Sequence, residues 1–139
     1  MFKDVFVFGS NLGGFHGAGS AAHACENLGF PLYLGVGYHG KCYAIPTKDS
    51  NIEALHLDVI KLYVDQFLEF AADHEDWRFN IVAIGCGLAG FKVRQIAPMF
   101  KNRTPNCILP KEFLDFLEEQ KHNETTKSLE LLGYSYVTP

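Results

Sequence analysis

Four apolar runs of strand length alternate with helical stretches, and that alternation restricts the possible folds more than any other feature of the chain. "DVFVF" (4–8), "CYAIP" (42–46), "FNIVAI" (79–84) and "NCIL" (106–109) are rich in β-branched or aromatic residues and bounded by breakers. Their near-continuous apolar character predicts strands covered on both faces, as in a parallel sheet. "GAGSAAHACENLG" (17–29) reads as a helix entered from a glycine loop and closed by Gly29. Ile52, Leu55, Val59, Tyr63, Phe67 and Phe70, at steps of three or four, predict a second helix. Ser50 and Glu53 read as a capping box that starts it just after Ser50. "KVRQIAPMFK" (92–101) predicts a third helix, weakened by Pro98, and "LPKEFLDFLEEQK" a fourth with Pro110 in its first turn. The resulting order predicts a single three-layer α/β domain over residues 1–139, with a mixed, mostly parallel sheet between helices. Helical spacing places Phe67, Phe70, Phe113 and Phe116 in its core. Residues 30–41 read as either a strand with a turn or an irregular loop, and the tail "GYSYVTP" as the place for an additional strand.

Composition narrows the function classes. The chain has 139 residues, 47% apolar and 20% charged, as in ordinary soluble domains with a real core. No apolar run approaches the ~20 residues of a membrane helix, and "MFKDVFVFGS" is shorter than a signal peptide and interrupted by Asp4. Cys25, Cys42, Cys86 and Cys107 lack CxxC spacing, so reduced thiols in a cytoplasmic protein are expected. His16 and His23 lack zinc-ligand spacing with a third ligand nearby, and neither a metal nor a cofactor is expected. A net charge of −4 argues against non-specific nucleic-acid binding, and nothing points to a membrane partner. Lys92, Arg94, Lys101 and Arg103 form a local basic stretch that reads as a solvated face, with phosphate contact the alternative.

Eight of the thirteen glycines fall in two places, "GSNLGGFHGAGSA" (9–21) and "IGCGLAGF" (84–91), each between a strand and a helix. Glycine is costly to order and adds nothing to a core, so a pair of such loops points to a ligand that approaches the backbone closely. Backbone N–H groups freed by a glycine turn beside a helix N-terminus suit phosphate, and two loops could embrace a diphosphate. No window fits G-x-x-x-x-G-K-[ST], which removes the P-loop reading. Gly85, Gly87 and Gly90 satisfy G-x-G-x-x-G, with Glu112 roughly where a ribose-binding acid would stand, so a Rossmann-type dinucleotide-binding protein is a rival.

"GSNLGGFHGAGSAAHA", "YAIPTKD" and "IGCGLAGFKVRQIAPMF" together resemble the macrodomain superfamily, and within it the terminal ADP-ribose protein glycohydrolase type. Members carry an H/M-GAG-like loop, a strand ending in T-K and an I-G-C-G-L loop before a helix, in this order. The likeness spans most of residues 4–110. "FGSN", "HGAG" and "AIPTK" are also similar to motifs of short phage-type proteins, which implies a viral or prophage origin. The resemblance implies binding of ADP-ribose or a related nucleotide-sugar metabolite, free or carried by an ADP-ribosylated macromolecule. Asn11, Gly13, Gly14, Gly17, Ala18 and Gly19, with Gly9 and Ser10 before them, would line the distal ribose. Gly85, Cys86, Gly87, Leu88, Ala89, Gly90 and Phe91 would cradle phosphate and ribose.

The resemblance also implies a place for chemistry. Lys48 stands where the glycohydrolase lysine stands, and His16 in the first loop is a candidate base or ribose contact. The family's acid, however, directly follows I-G-C-G-L, where this chain has Ala89, and a methyl group transfers no proton. Binding is therefore expected, with an ADP-ribosyl glycohydrolase using Lys48 as the alternative and a ligand-free interaction domain as a third class. Asp49 is an uncertain substitute acid, His39 a second loop histidine, and Cys86 a candidate thiolate at a helix entrance. Phe91 and Tyr38 are candidates to stack on a base.

Overall fold

The computed structural model describes residues 2–133, and the expected tail strand lies outside the described residues except for Gly133. The strands are β1 (Lys3–Asn11), β2 (Gly37–His39), β3 (Cys42–Lys48), β4 (Trp77–Ile81) and β5 (Cys107–Ile108). The helices are α1 (Gly19–Leu28), α2 (Leu57–Ala72), α3 (Val93–Ile96) and α4 (Lys111–Leu131), with a 3-10 turn at Ala97–Phe100. The sheet order is β2-β3-β1-β4-β5, parallel except for the edge strand β2. The segment 30–41 thus resolves into irregular chain followed by that short antiparallel strand.

Side chains alternate between the faces of the sheet, as strand geometry requires. Val5 and Val7 of β1, Tyr43 and Ile45 of β3, and Phe79 and Ile81 of β4 meet Ile60, Val64, Phe67 and Ala71 of α2. Ile96, Phe100 and Phe113 close the same cluster from α3, the 3-10 turn and α4. On the opposite face Phe8, Cys42 and Ala44 meet Ala21 and Ala24 of α1, together with Phe30. The result is the expected three-layer α/β architecture, with α1 alone on one side among the described residues.

Two helix predictions are corrected. α2 begins at Leu57, not after Ser50, because Asp49 Oδ1 accepts hydrogen bonds from Asn51 N and Glu53 N at 2.8 and 3.0 Å. These bonds commit residues 49–53 to a turn, since an aspartate that bonds neighbouring amides competes with helix formation. Ile52 and Leu55 therefore lie outside the helix, whose fully buried line is Ile60, Val64, Phe67 and Ala71, flanked by Val59, Tyr63 and Phe70. Around Pro98 the expected third helix breaks into one α turn and one 3-10 turn.

Gly29 closes α1 in the left-handed conformation, with its N–H donating to Ala24 O. β1 connects through α1 toward β3, whereas β4 connects through α3 toward β5 on the other side. The carboxyl ends of adjacent strands β1 and β4 therefore flank the point where the winding reverses, which is where open α/β sheets bind ligands.

Candidate functional site

A cleft of about 510 Å³ opens at that point. Its size falls within the roughly 300–1,000 Å³ of small-molecule sites. Gly9, Ser10 and Asn11 reach it from the end of β1, where the register with β3 shifts between Ser10 and Asn11. Such a bulge re-aims the backbone beside a site. Gly17, Ala18 and Gly19 line it at the start of α1, Lys48 at the end of β3, and Gly85, Gly87, Leu88 and Ala89 after β4. The two glycine loops and Lys48 are thus gathered around one space, and among the described residues Lys48 supplies the only charged side chain lining it.

The cleft presents hydrogen-bond donors and positive charge. α1 has no side-chain cap, and its first intrahelical bond runs from Ala22 N to Ala18 O at 3.2 Å. The amides of Gly19, Ser20 and Ala21 are left without backbone partners among the described residues, at the positive end of the helix dipole. In the second loop Cys86 N, Gly90 N and Phe91 N bond to Ala83 O, Gly87 O and Gly85 O at 3.1, 3.0 and 2.8 Å. These turns leave the amides of Gly85, Gly87, Leu88 and Ala89 without such partners. Lys48 Nζ makes no hydrogen bond or ion pair with any described residue. Among the described residues no acidic side chain lines the cleft.

The glycines separate by what surrounds them. A Cβ at Gly13 would stand 2.3 Å from the Phe15 ring, and one at Gly14 2.3 Å from the Tyr33 backbone. At Gly17 and Gly87 a Cβ would meet no protein atom within 4 Å, and neither has a left-handed φ. Packing explains the first pair. It does not explain the second, which faces the cleft from opposite loops.

Several predicted site residues have other work. His16 is 4% exposed and turned away from the cleft: its ring meets Phe8 and Phe30 edge-on. Its Nε2 donates to Pro31 O and Leu34 O at 3.1 and 2.9 Å, and Nδ1 is buried without a partner. The imidazole ties the first loop to the segment below it. Asn11 Nδ2 and Oδ1 close on Phe15 O and N at 2.8 and 2.9 Å, and Ser10 Oγ donates to Gly35 O, so these side chains brace the loop. Gly13, Gly14, Cys86, Gly90 and Phe91 do not line the cleft. Phe91 packs on the main core beneath the second loop, and Tyr38 stacks on Phe70. His39 meets Phe30 edge-on. Burial first, then the nearby Glu112 carboxylate, pushes the Cys86 thiol pKa up, so the expected thiolate is disfavoured. Glu112 itself, the acid of the dinucleotide reading, stands exposed in the first turn of α4, outside the cleft lining.

Residues that the loops did not advertise complete the site. Ser20 lines the cleft from the first turn of α1, and its hydroxyl has no partner among the described residues. Its position two residues into a helix entered from a glycine loop was the available signal. Thr47, 3% exposed, donates its hydroxyl toward Ser10 O at 3.4 Å and joins β3 to β1 under the floor. Phe15, Ile52 and Leu88 add an apolar rim, 49%, 46% and 71% exposed. Among the described residues no group of three or more His, Cys, Asp or Glu converges as a metal site, and no helix is long and apolar enough to cross a membrane.

No family model and no curated protein matches the chain. Among solved structures it is similar to one described as "Structure of a Protein of Unknown Function from Bacteroides thetaiotaomicron". The two are 16% identical with a TM-score of 0.53, over 78% of this chain and 88% of that one. The likeness is one of fold.

Proposed function

We propose that the cleft binds ADP-ribose or a related nucleotide-sugar metabolite, with the diphosphate held between the start of α1 and the loop after β4. The observation that carries this reading is the pair Gly17 and Gly87, which face the cleft from opposite sides and which neither backbone conformation nor packing requires to be glycine. Small residues at such positions leave room for a ligand to touch the backbone. The unpartnered amides and Lys48 supply donors and charge for phosphate. The macrodomain resemblance names the nucleotide sugar, and an ADP-ribosyl group on a macromolecule presents the same chemistry.

The lining favours binding over hydrolysis. Ala89 occupies the position of the family's acid, and Asp49 is engaged with Asn51 N and Glu53 N. With no carboxylate lining the cleft among the described residues, Lys48 acts as an anion contact.

Thermal denaturation with added ADP-ribose, ADP and NAD tests this reading. ADP-ribose at 100 times its dissociation constant should add about 2.7 kcal/mol of stability, a rise in melting temperature of roughly 8 °C. A shift with another nucleotide alone transfers the site to that nucleotide, and no shift with any of them removes the proposal.

A further inference from the structure

The turn between β3 and α2 holds a residue in a strained backbone conformation. Ile52 has φ of 62°, in the left-handed region where a β-branched side chain is an outlier. It is the last residue of a turn closed by Ile52 N donating to Asp49 O at 3.1 Å, a position where glycine is favoured. The turn is held firmly. Asp49 Oδ1 accepts from Asn51 N and Glu53 N, Asp49 N donates to Glu53 O at 2.8 Å, and Leu55 N donates to Thr47 O at 2.9 Å. Strain of this kind persists only where the surroundings over-determine it, and it gathers at ligand clamps.

Tyr33, the other non-glycine residue with positive φ among the described residues, makes a useful contrast. Its backbone lies against Gly14, and its N–H donates to Gly14 O at 2.9 Å, so packing accounts for its conformation. The Ile52 side chain instead is half exposed and lines the cleft, four residues beyond Lys48. A chain with thirteen glycines puts isoleucine where glycine would be the less strained choice.

We infer that Ile52 is a specificity-determining residue whose side chain is held against the apolar face of a ring in the ligand, ribose or base, next to the diphosphate. This deepens the function proposed above and rests on it. The anion donors select for phosphate; Ile52 selects for what the phosphate carries.

Calorimetric titration of the parent, Ile52→Gly and Ile52→Val with ADP-ribose, ADP, ribose 5-phosphate and inorganic pyrophosphate tests the inference. Ile52→Gly should melt above the parent, because the strain is relieved, yet bind ADP-ribose roughly tenfold more weakly. Its affinity for pyrophosphate should equal the parent's, and Ile52→Val should retain most of the ADP-ribose affinity. A tenfold loss with ADP assigns the contact to the adenosine part, and a loss with ribose 5-phosphate assigns it to the distal ribose. Parental affinity of Ile52→Gly for ADP-ribose, or a proportional loss for pyrophosphate, overturns the inference while leaving the proposed function standing. Failure of the parent to bind any of the nucleotide or sugar-phosphate ligands overturns both.

Discussion

In the first glycine loop, Gly14 fits against the backbone of Tyr33, Asn11 clamps Phe15, and His16 reaches down to Pro31 and Leu34. In the second, the polypeptide is shaped by its own short turns, from Cys86 N to Ala83 O and from Phe91 N to Gly85 O, and Gly87 faces open cleft. One loop is a joint between layers that also reaches the site; the other is chiefly a surface for the site. Glycine density alone does not distinguish these roles. The space around each absent side chain does.

Crossing two substitutions gives the largest separation. Gly14→Ala should lower stability by about 3–4 kcal/mol, from a left-handed φ combined with a Cβ 2.3 Å from backbone, read as a fall in the urea midpoint. Gly87→Val should leave stability within about 0.5 kcal/mol of the parent, because a Cβ there meets no protein atom within 4 Å. The same variant should lose ADP-ribose binding by roughly a hundredfold or more, through obstruction of the phosphate approach. If Gly87→Val binds as the parent does, or Gly14→Ala is as stable as the parent, the division between the loops collapses.

Lys48→Ala gives a smaller effect and sharpens the role of the floor between the loops. Loss of a charge-assisted contact should weaken ADP-ribose binding by roughly tenfold to a hundredfold, measured by titration. Release of ADP-ribose from modified substrates should be absent in parent and variant alike. Robust release by the parent, abolished in Lys48→Ala, would instead make the cleft catalytic.

The smallest effect concerns reactivity in the second loop. A thiol whose pKa is raised carries less thiolate at neutral pH, so Cys86 should be alkylated by iodoacetamide severalfold more slowly than free cysteine at pH 7. Mass spectrometry of the Cys86 peptide over time measures this. Faster labelling than free cysteine would mean that the loop amides, not burial and Glu112, govern the sulfur.

The layered fold was legible because burial on both sides writes itself into composition: residues 42–47 of β3 are all buried, and their run is almost wholly apolar. The start of α2 was not, because Ser50 and Glu53 have the spacing of a capping box while the neighbouring Asp49 takes the amides of residues 51 and 53 for a turn. That contest is decided by hydrogen-bond geometry, which spacing does not record. The loops were visible as loops, but the direction of His16 depends on where Phe30, Pro31 and Leu34 pass beneath it, across an irregular stretch without periodicity. Helical spacing makes Ile52 one residue of a stripe, and only its φ and its place on the rim mark it as something else.

Among the described residues, the strands at the two margins of the sheet are its shortest, three residues in β2 and two in β5, against nine and seven in β1 and β3. A stranger's strand arriving at either margin finds only a few rungs of amide and carbonyl to pair with, too few to hold it. Edge-to-edge stacking of molecules into a growing ladder, the usual hazard of an open sheet, is thereby discouraged by trimming alone. The long, apolar β1 and β3, the segments most prone to such stacking, are kept to the middle.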